Sequence, residues 1–81
     1  MLVVPIVHMN GTSKKELLQL RQDAYLAICQ AEKALQQMSP NGRDYYPEPG
    51  RLEKAQAQQI RRMEILSSIK TELIAEVDAI E

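Results

Sequence analysis

Three of the four prolines and two of the three glycines of this 81-residue chain lie within residues 39–50, in the sequence SPNGRDYYPEPG. Neither residue type occurs between Gly11 and Pro40, or after Gly50. Proline and glycine are the residues that helix interiors tolerate least. The sequence therefore predicts two long helices joined by a loop, and this loop is longer than the roughly 2–8 residues of an ordinary helix connection.

Helix one is predicted over residues 13–38. Ser13 and Glu16 have the spacing of a capping box, in which each side chain bonds the other residue's backbone N–H. Tyr25 and Cys29 lie at the edge of the apolar face, and we interpret Cys29 as a packing residue. The apolar positions recur every three or four residues, which predicts one face against the second helix: Leu17, Leu20, Ala24, Ile28, Ala31, Leu35 and Met38.

Helix two is predicted over residues 51–80. Ile65, Ile69 and Ile74 make its apolar surface wider than one partner helix can cover. We therefore expect an all-α fold in one domain, an antiparallel two-helix hairpin that assembles with other copies into a helical-bundle homo-oligomer. The stripe expected to face helix one consists of Leu52, Ala55, Ile60, Met63, Leu66, Leu73, Val77 and Ile80.

Residues 1–11 are predicted to form a short extended arm. The segment is rich in β-branched residues, but Pro5 interrupts it and no second strand candidate exists to pair with it. The arm either pairs with the arm of another copy or lies across the helices with Val4 and Ile6 in a groove. A frayed terminus is the third alternative.

Composition argues against several classes of protein. The net charge is −1 with both signs interleaved, so binding to DNA, RNA or a membrane surface is not expected, and Arg61 and Arg62 are interpreted as part of a solvated face. One cysteine and one histidine provide neither a disulfide nor a metal site, and no cofactor is expected. No nucleophile and base are placed together, so an enzyme is not expected. A cytoplasmic location fits the single cysteine and the absence of a signal sequence.

The loop carries the strongest functional signal. Tyr45 and Tyr46 offer ring faces for a nucleobase, Arg43 and Arg51 offer planar forks for phosphate, and Asp44 could accept from a base or ribose. If the arm of one copy meets the loop of another, three arm residues could complete a pocket between subunits: His8, Asn10 and Thr12. The alternatives are that the tyrosines cap the end of the hairpin, with Arg43 and Asp44 paired, and that His8 is structural.

The start VHMNGTSKKELL together with SPNGRDYYP resembles small proteins encoded by tailed phages and prophages. The resemblance implies a phage origin, a helical hairpin and a role in the phage–host contest or in particle assembly, and it transfers no catalytic residue. Two hypotheses follow. The first is a binding protein in the host cytoplasm that sequesters a nucleotide immune signal. The alternative is a protein-interaction adaptor, structural in the particle or inhibitory toward a host protein.

Overall fold

A computed structural model describes all 81 residues as three helices and no strands. The helices are α1 (Lys14–Gln37), α2 (Gly42–Tyr45) and α3 (Arg51–Ile80). The fold is therefore all-α, an extended helix-loop-helix in which α1 corresponds to predicted helix one and α3 to predicted helix two. No helix has a stretch that is both long and apolar enough to span a bilayer.

The ends of α1 are fixed by backbone and side-chain capping. Ser13 Oγ accepts from the Glu16 backbone N–H at 3.1 Å, which is half of the predicted capping box. At the other end, the backbone N–H of Met38 donates to Leu35 and Gln36 carbonyls. These contacts begin and end the helix one residue inside each predicted bound.

The connection between the long helices contains the short helix α2, which the sequence interpretation treated only as loop. Asn41 is its N-cap, and its side-chain oxygen accepts from the Asp44 backbone N–H at 3.2 Å. Gly50 then adopts a left-handed conformation, with φ of 82°, and α3 begins at the next residue. Glycine adopts this conformation without steric cost, so it directs the chain into α3 without a side-chain cap.

Polar contacts join α1 to α3 along their length. Arg21 pairs with Glu76 at 3.3 Å near one end, and Glu32 pairs with Lys70 at 2.7 Å farther along. Gln59 Nε2 donates to a carbonyl near the end of α1, at 2.7 Å. These contacts place the start of α1 beside the end of α3, and the end of α1 nearer the start of α3.

The predicted apolar stripe of α1 is only partly correct. Leu17, Ile28 and Leu35 are buried or half-buried, whereas the other members of the stripe are exposed: Leu20, Ala24, Ala31 and Met38. The helix is rotated toward its other edge, so that Tyr25 and Cys29 are half-buried. The apolar arc of α1 is wider than the contact with one helix, and periodicity alone does not determine which part of it faces the partner.

The stripe of α3 needs one correction. Ile60 is exposed, although the sequence placed it against helix one. Gln59 is half-buried in its place, because its amide reaches the carbonyl of Leu35. Every other predicted member of the stripe is half-buried or buried. Ile65, Ile69 and Ile74 are exposed and widen the apolar surface of α3, as expected.

The molecule is a rod with almost no interior. It measures 61 × 23 × 16 Å, and its radius of gyration is 18.1 Å, against about 12 Å for a compact domain of this length. Only Leu17 and Ile80 are buried. A chain that is 44% hydrophobic thus leaves most of its apolar side chains in contact with solvent.

The arm has no regular secondary structure before α1. Val4 and Pro5 are half-buried, but Ile6 is 81% exposed, so the alternative in which both Val4 and Ile6 fill a groove is not seen within the single chain. Its last residues make a turn, in which the Gly11 backbone N–H donates to the His8 carbonyl at 3.2 Å.

Candidate functional site

The loop residues chosen from the sequence are held by the capping of α2. Asn41 Nδ2 donates to Asp44 Oδ2 at 3.1 Å, while the Asn41 side-chain oxygen accepts from the backbone N–H of Asp44. Asn41 is therefore bonded to Asp44 through both its side-chain oxygen and its side-chain nitrogen, whereas a capping box would use the backbone N–H of Asn41 for the second bond. Asp44 has a structural partner, and the alternative in which it pairs with Arg43 is not observed.

The two tyrosines have different surroundings. Tyr45 is the last residue of α2 and is half-buried. Tyr46 is 79% exposed, so most of its surface is open to solvent. Arg43 is also exposed and takes part in none of the three ion pairs of the chain. Tyr46 and Arg43 are thus the loop groups that remain free to contact another molecule.

Arg51 is engaged within its own chain. Its Nε donates to Glu48 Oε2, which joins the end of the loop to the first residue of α3. The hydrogen bond from Arg51 lowers the pKa of Glu48, and its positive charge adds to the effect. The same hydrogen bond raises the pKa of Arg51. A phosphate at Arg51 would have to share the guanidinium with Glu48 or displace it.

The arm forms an open groove at the start of α1. The groove has a volume of about 590 Å³, within the roughly 300–1,000 Å³ range of small-molecule sites. His8 and Thr12 supply its polar groups, and apolar side chains of the arm and of Leu17 supply much of the rest. Asn10 is exposed beside the groove and is not part of its lining.

Gly11 permits the close approach that shapes this groove. A Cβ atom at Gly11 would lie 2.6 Å from His8 Nε2 and 3.0 Å from His8 Cε1. The imidazole therefore lies over the glycine backbone, in space that no other residue type would leave open. This contact gives His8 a packing role in the turn and leaves it at the edge of the groove.

The arm and the loop lie at opposite ends of α1. The helix has 24 residues, which separates its ends by about 36 Å. The two groups of candidate residues therefore do not meet within one chain: His8, Asn10 and Thr12 in the arm, and Arg43, Asp44, Tyr45, Tyr46 and Arg51 in the loop. A pocket that uses both groups requires two copies of the chain.

The single cysteine and the single histidine lie in different parts of the chain. Cys29 is half-buried on α1, and His8 lies in the arm before that helix begins. No three His, Cys, Asp or Glu side chains are grouped so that they could hold a metal ion.

Sequence reasoning missed the residues that give the loop its shape. Asn41 and Glu48 hold α2 and the start of α3, yet both are polar residues of a kind that loops commonly contain. The signal for Asn41 was present in the spacing of Asn41 and Asp44, since asparagine is a frequent N-cap and an acidic residue three positions later fits a capping box.

The chain matches no family model, no curated protein and no solved structure. The protein is therefore described by its structure alone. It is an all-α helix-loop-helix rod with exposed apolar flanks and two separated groups of candidate binding residues.

Proposed function

We propose that this protein is a non-catalytic binding protein that works as a homo-oligomer of helical hairpins. Its ligand is a nucleotide-like anion, held between the loop of one copy and the arm of another. The resemblance to phage proteins supports a role in the host cytoplasm, where such a protein would sequester a nucleotide signal of host immunity.

The large accessible surface of the single chain, which includes the exposed side chains of Ile65, Ile69 and Ile74, carries the proposal. The chain exposes 6387 Å², about 1,500 Å² more than the roughly 4,900 Å² expected for a folded monomer of its mass. A standard interface covers about 800 Å² on each partner. The excess is therefore the area of about two interfaces for each chain, which supports an assembly of several copies.

The chemistry of the free loop groups supports an anionic, planar ligand. The Tyr46 ring is exposed for stacking on a base, which contributes about 1–3 kcal/mol in single-stranded nucleic-acid complexes. Arg43 is unpaired and available for phosphate. In the arm, His8 and Thr12 offer hydrogen bonds inside a groove of suitable volume. Binding of this kind requires no catalytic group.

Calorimetric titration against a panel of linear and cyclic nucleotides tests the proposal. We expect one nucleotide class to bind, and Tyr46→Ala to weaken its binding about tenfold or more, because the stacking surface is lost. Tyr25→Phe is the matched control, since it alters a tyrosine of α1 away from the loop. Heat changes no larger than dilution across the whole panel would contradict the nucleotide proposal.

The alternative proposal is a protein-interaction adaptor, structural in a phage particle or inhibitory toward a host protein. The exposure of Tyr46 beside an unpaired Arg43 supports it, because Tyr and Arg are common anchors of protein interfaces. A stoichiometric partner that is recovered with the wild type, and lost with both Tyr45→Ala and Tyr46→Ala, would favour the adaptor over the nucleotide-binding protein.

A further inference from the structure

We propose that α3 packs antiparallel against α3 of a second copy, through a strip that consists of Arg62, Ile65, Ile69 and Glu72. This set is called the α3 strip below. The inference rests on the proposed function for the existence of an oligomer. It specifies the surface through which two copies meet, the register of the two α3 helices, and the half of the binding site that the second copy supplies.

The α3 strip is one continuous face of the helix. Its members are spaced by three, four and three residues, so they lie along one side of α3. Ile65 is 54% exposed and Ile69 is 39% exposed, although both are large aliphatic side chains. Arg62 and Glu72 are exposed at the two ends of the strip. An apolar centre with one charge at each end is the pattern of a small interface.

The charges of the strip favour a second copy in the antiparallel direction. Neither Arg62 nor Glu72 takes part in an ion pair within the chain. Arg62 lies three residues before Ile65, and Glu72 lies three residues after Ile69. A two-fold axis that places Ile65 opposite Ile69 of the second copy therefore also places Arg62 opposite Glu72 of that copy. Because the axis relates the two chains, this ion pair occurs twice in the dimer. A parallel pair would place like charges together.

The surface beside Ile65 suits an inserted side chain. One groove of about 460 Å³ lies on the α1 side, where Ala31 and Ala34 leave room for close approach. A second groove of about 430 Å³ runs along Ile65 and Ile69 to Glu72. Ile65 thus stands between two grooves, and an isoleucine from the second copy can pack beside it as a knob packs into a hole.

The same register joins the two halves of the candidate site. When α3 is continued in both directions from the strip, Ile80 of the second copy lies beside Lys54, within one turn of the start of α3 at Arg51. In each chain the end of α3 lies beside the start of α1, where Lys14 Nζ donates to the Glu81 carbonyl at 3.5 Å. The loop of one copy therefore approaches the arm of the other, although 36 Å or so separates them within a chain.

Charge reversal tests the strip by sedimentation equilibrium at low salt. We expect Arg62→Glu and Glu72→Arg each to raise the dissociation constant of the assembly about tenfold, because each replaces two ion pairs by two repulsions. The double variant Arg62→Glu/Glu72→Arg restores both pairs, so we expect association close to the wild type. Lys33→Glu makes the same change of charge at an exposed position on α1 and should have little effect.

A matched apolar pair of variants tests the centre of the strip. Ile65→Asp should shift the assembly toward smaller species, whereas Leu26→Asp should not, because Leu26 is equally exposed at 55% but lies on α1. Circular dichroism on both variants verifies that the helices remain. Equal effects of the two substitutions would overturn the proposal.

Cross-linking tests the register in chains whose Cys29 is replaced by Ala. We expect a mixture of Ile65→Cys and Ile69→Cys chains to form disulfide-linked pairs between the two kinds of chain. Each variant alone should cross-link at least several times less, because its two cysteines lie about 6 Å apart along the axis. Predominant linkage of Ile65→Cys chains to one another would overturn the antiparallel register.

These outcomes separate the strip from the proposed function. If neither the two charge reversals nor Ile65→Asp changes the association of the oligomer, the α3 strip is not its interface. That result would not contradict the proposal of an oligomeric binding protein. A wild-type chain that stays monomeric at high micromolar concentration overturns both. The nucleotide titrations test ligand binding, and their result does not depend on the outcome of these association experiments.

Discussion

At the scale of single residues, two glycines are constrained in different ways. Gly50 has a positive φ of 82° and meets nothing at its Cβ position, so its constraint is conformational. Gly11 has an ordinary backbone, but His8 occupies the space that a Cβ atom would take. One glycine therefore sets the direction of α3, and the other shapes the groove of the arm.

We expect Gly50→Ala to lower the free energy of unfolding by about 1 kcal/mol, because alanine adopts a positive φ only at a steric cost. Gly42→Ala is the matched control, since a Cβ atom at this helical position meets no atom within 4 Å. That substitution should be neutral or slightly stabilising. Urea denaturation followed by circular dichroism measures both, and equal changes for the two variants would contradict the account of Gly50.

At the scale of elements, ion pairs fix α1 against α3 where the apolar contact is thin. Lys70 donates to Glu32 and lies 5.7 Å from the centre of the Tyr25 ring. The hydrogen bond to Glu32 raises the pKa of Lys70 above its usual value. Arg21 also donates to the carbonyl of Leu17 and to Glu76, while its buried Nε has no partner. These pairs help to determine which face of α1 is turned toward α3, and which face of α3 is turned toward α1.

We expect Glu76→Gln to destabilise the chain by about 1–2 kcal/mol, because it leaves the largely buried guanidinium of Arg21 without a counter-charge. Asp78→Asn is the matched control, since Asp78 is exposed near the same end of α3 and forms no ion pair. It should leave stability almost unchanged. Thermal denaturation at low and high salt measures the difference, and a Glu76→Gln variant as stable as Asp78→Asn would show that the pair contributes nothing.

The elements show which parts of this chain local sequence can predict. Proline, glycine and the Ser13 cap are local signals, and they located the long helices to within a residue or so. The rotation of α1 depends on contacts between distant residues, such as Arg21 with Glu76, and periodicity carries no information on them. The site was limited in the same way, because residue types indicated the loop and the arm but not that Arg51 pairs with Glu48 or that Asp44 bonds to Asn41.

At the scale of the whole molecule, a thin rod buries little apolar surface that could stabilise its fold. With 6387 Å² still accessible, the single chain buries about half of the roughly 13,300 Å² that its unfolded chain exposes, whereas a small independent domain buries about 60%. Assembly through the α3 strip would cover exposed apolar side chains of α3 and would add to the stability of the single chain. Folding and association should then be a single coupled process.

We expect the midpoint of thermal unfolding to rise with protein concentration, because mass action favours the associated folded state. For a dimer, a hundredfold increase in concentration should raise the midpoint by about 5–10 °C. Differential scanning calorimetry across that range measures the shift, with Leu26→Asp expected to keep it and Ile65→Asp to reduce it. A midpoint that is independent of concentration in the wild type would mean that the chain is stable alone, and that its apolar flanks have another occupant.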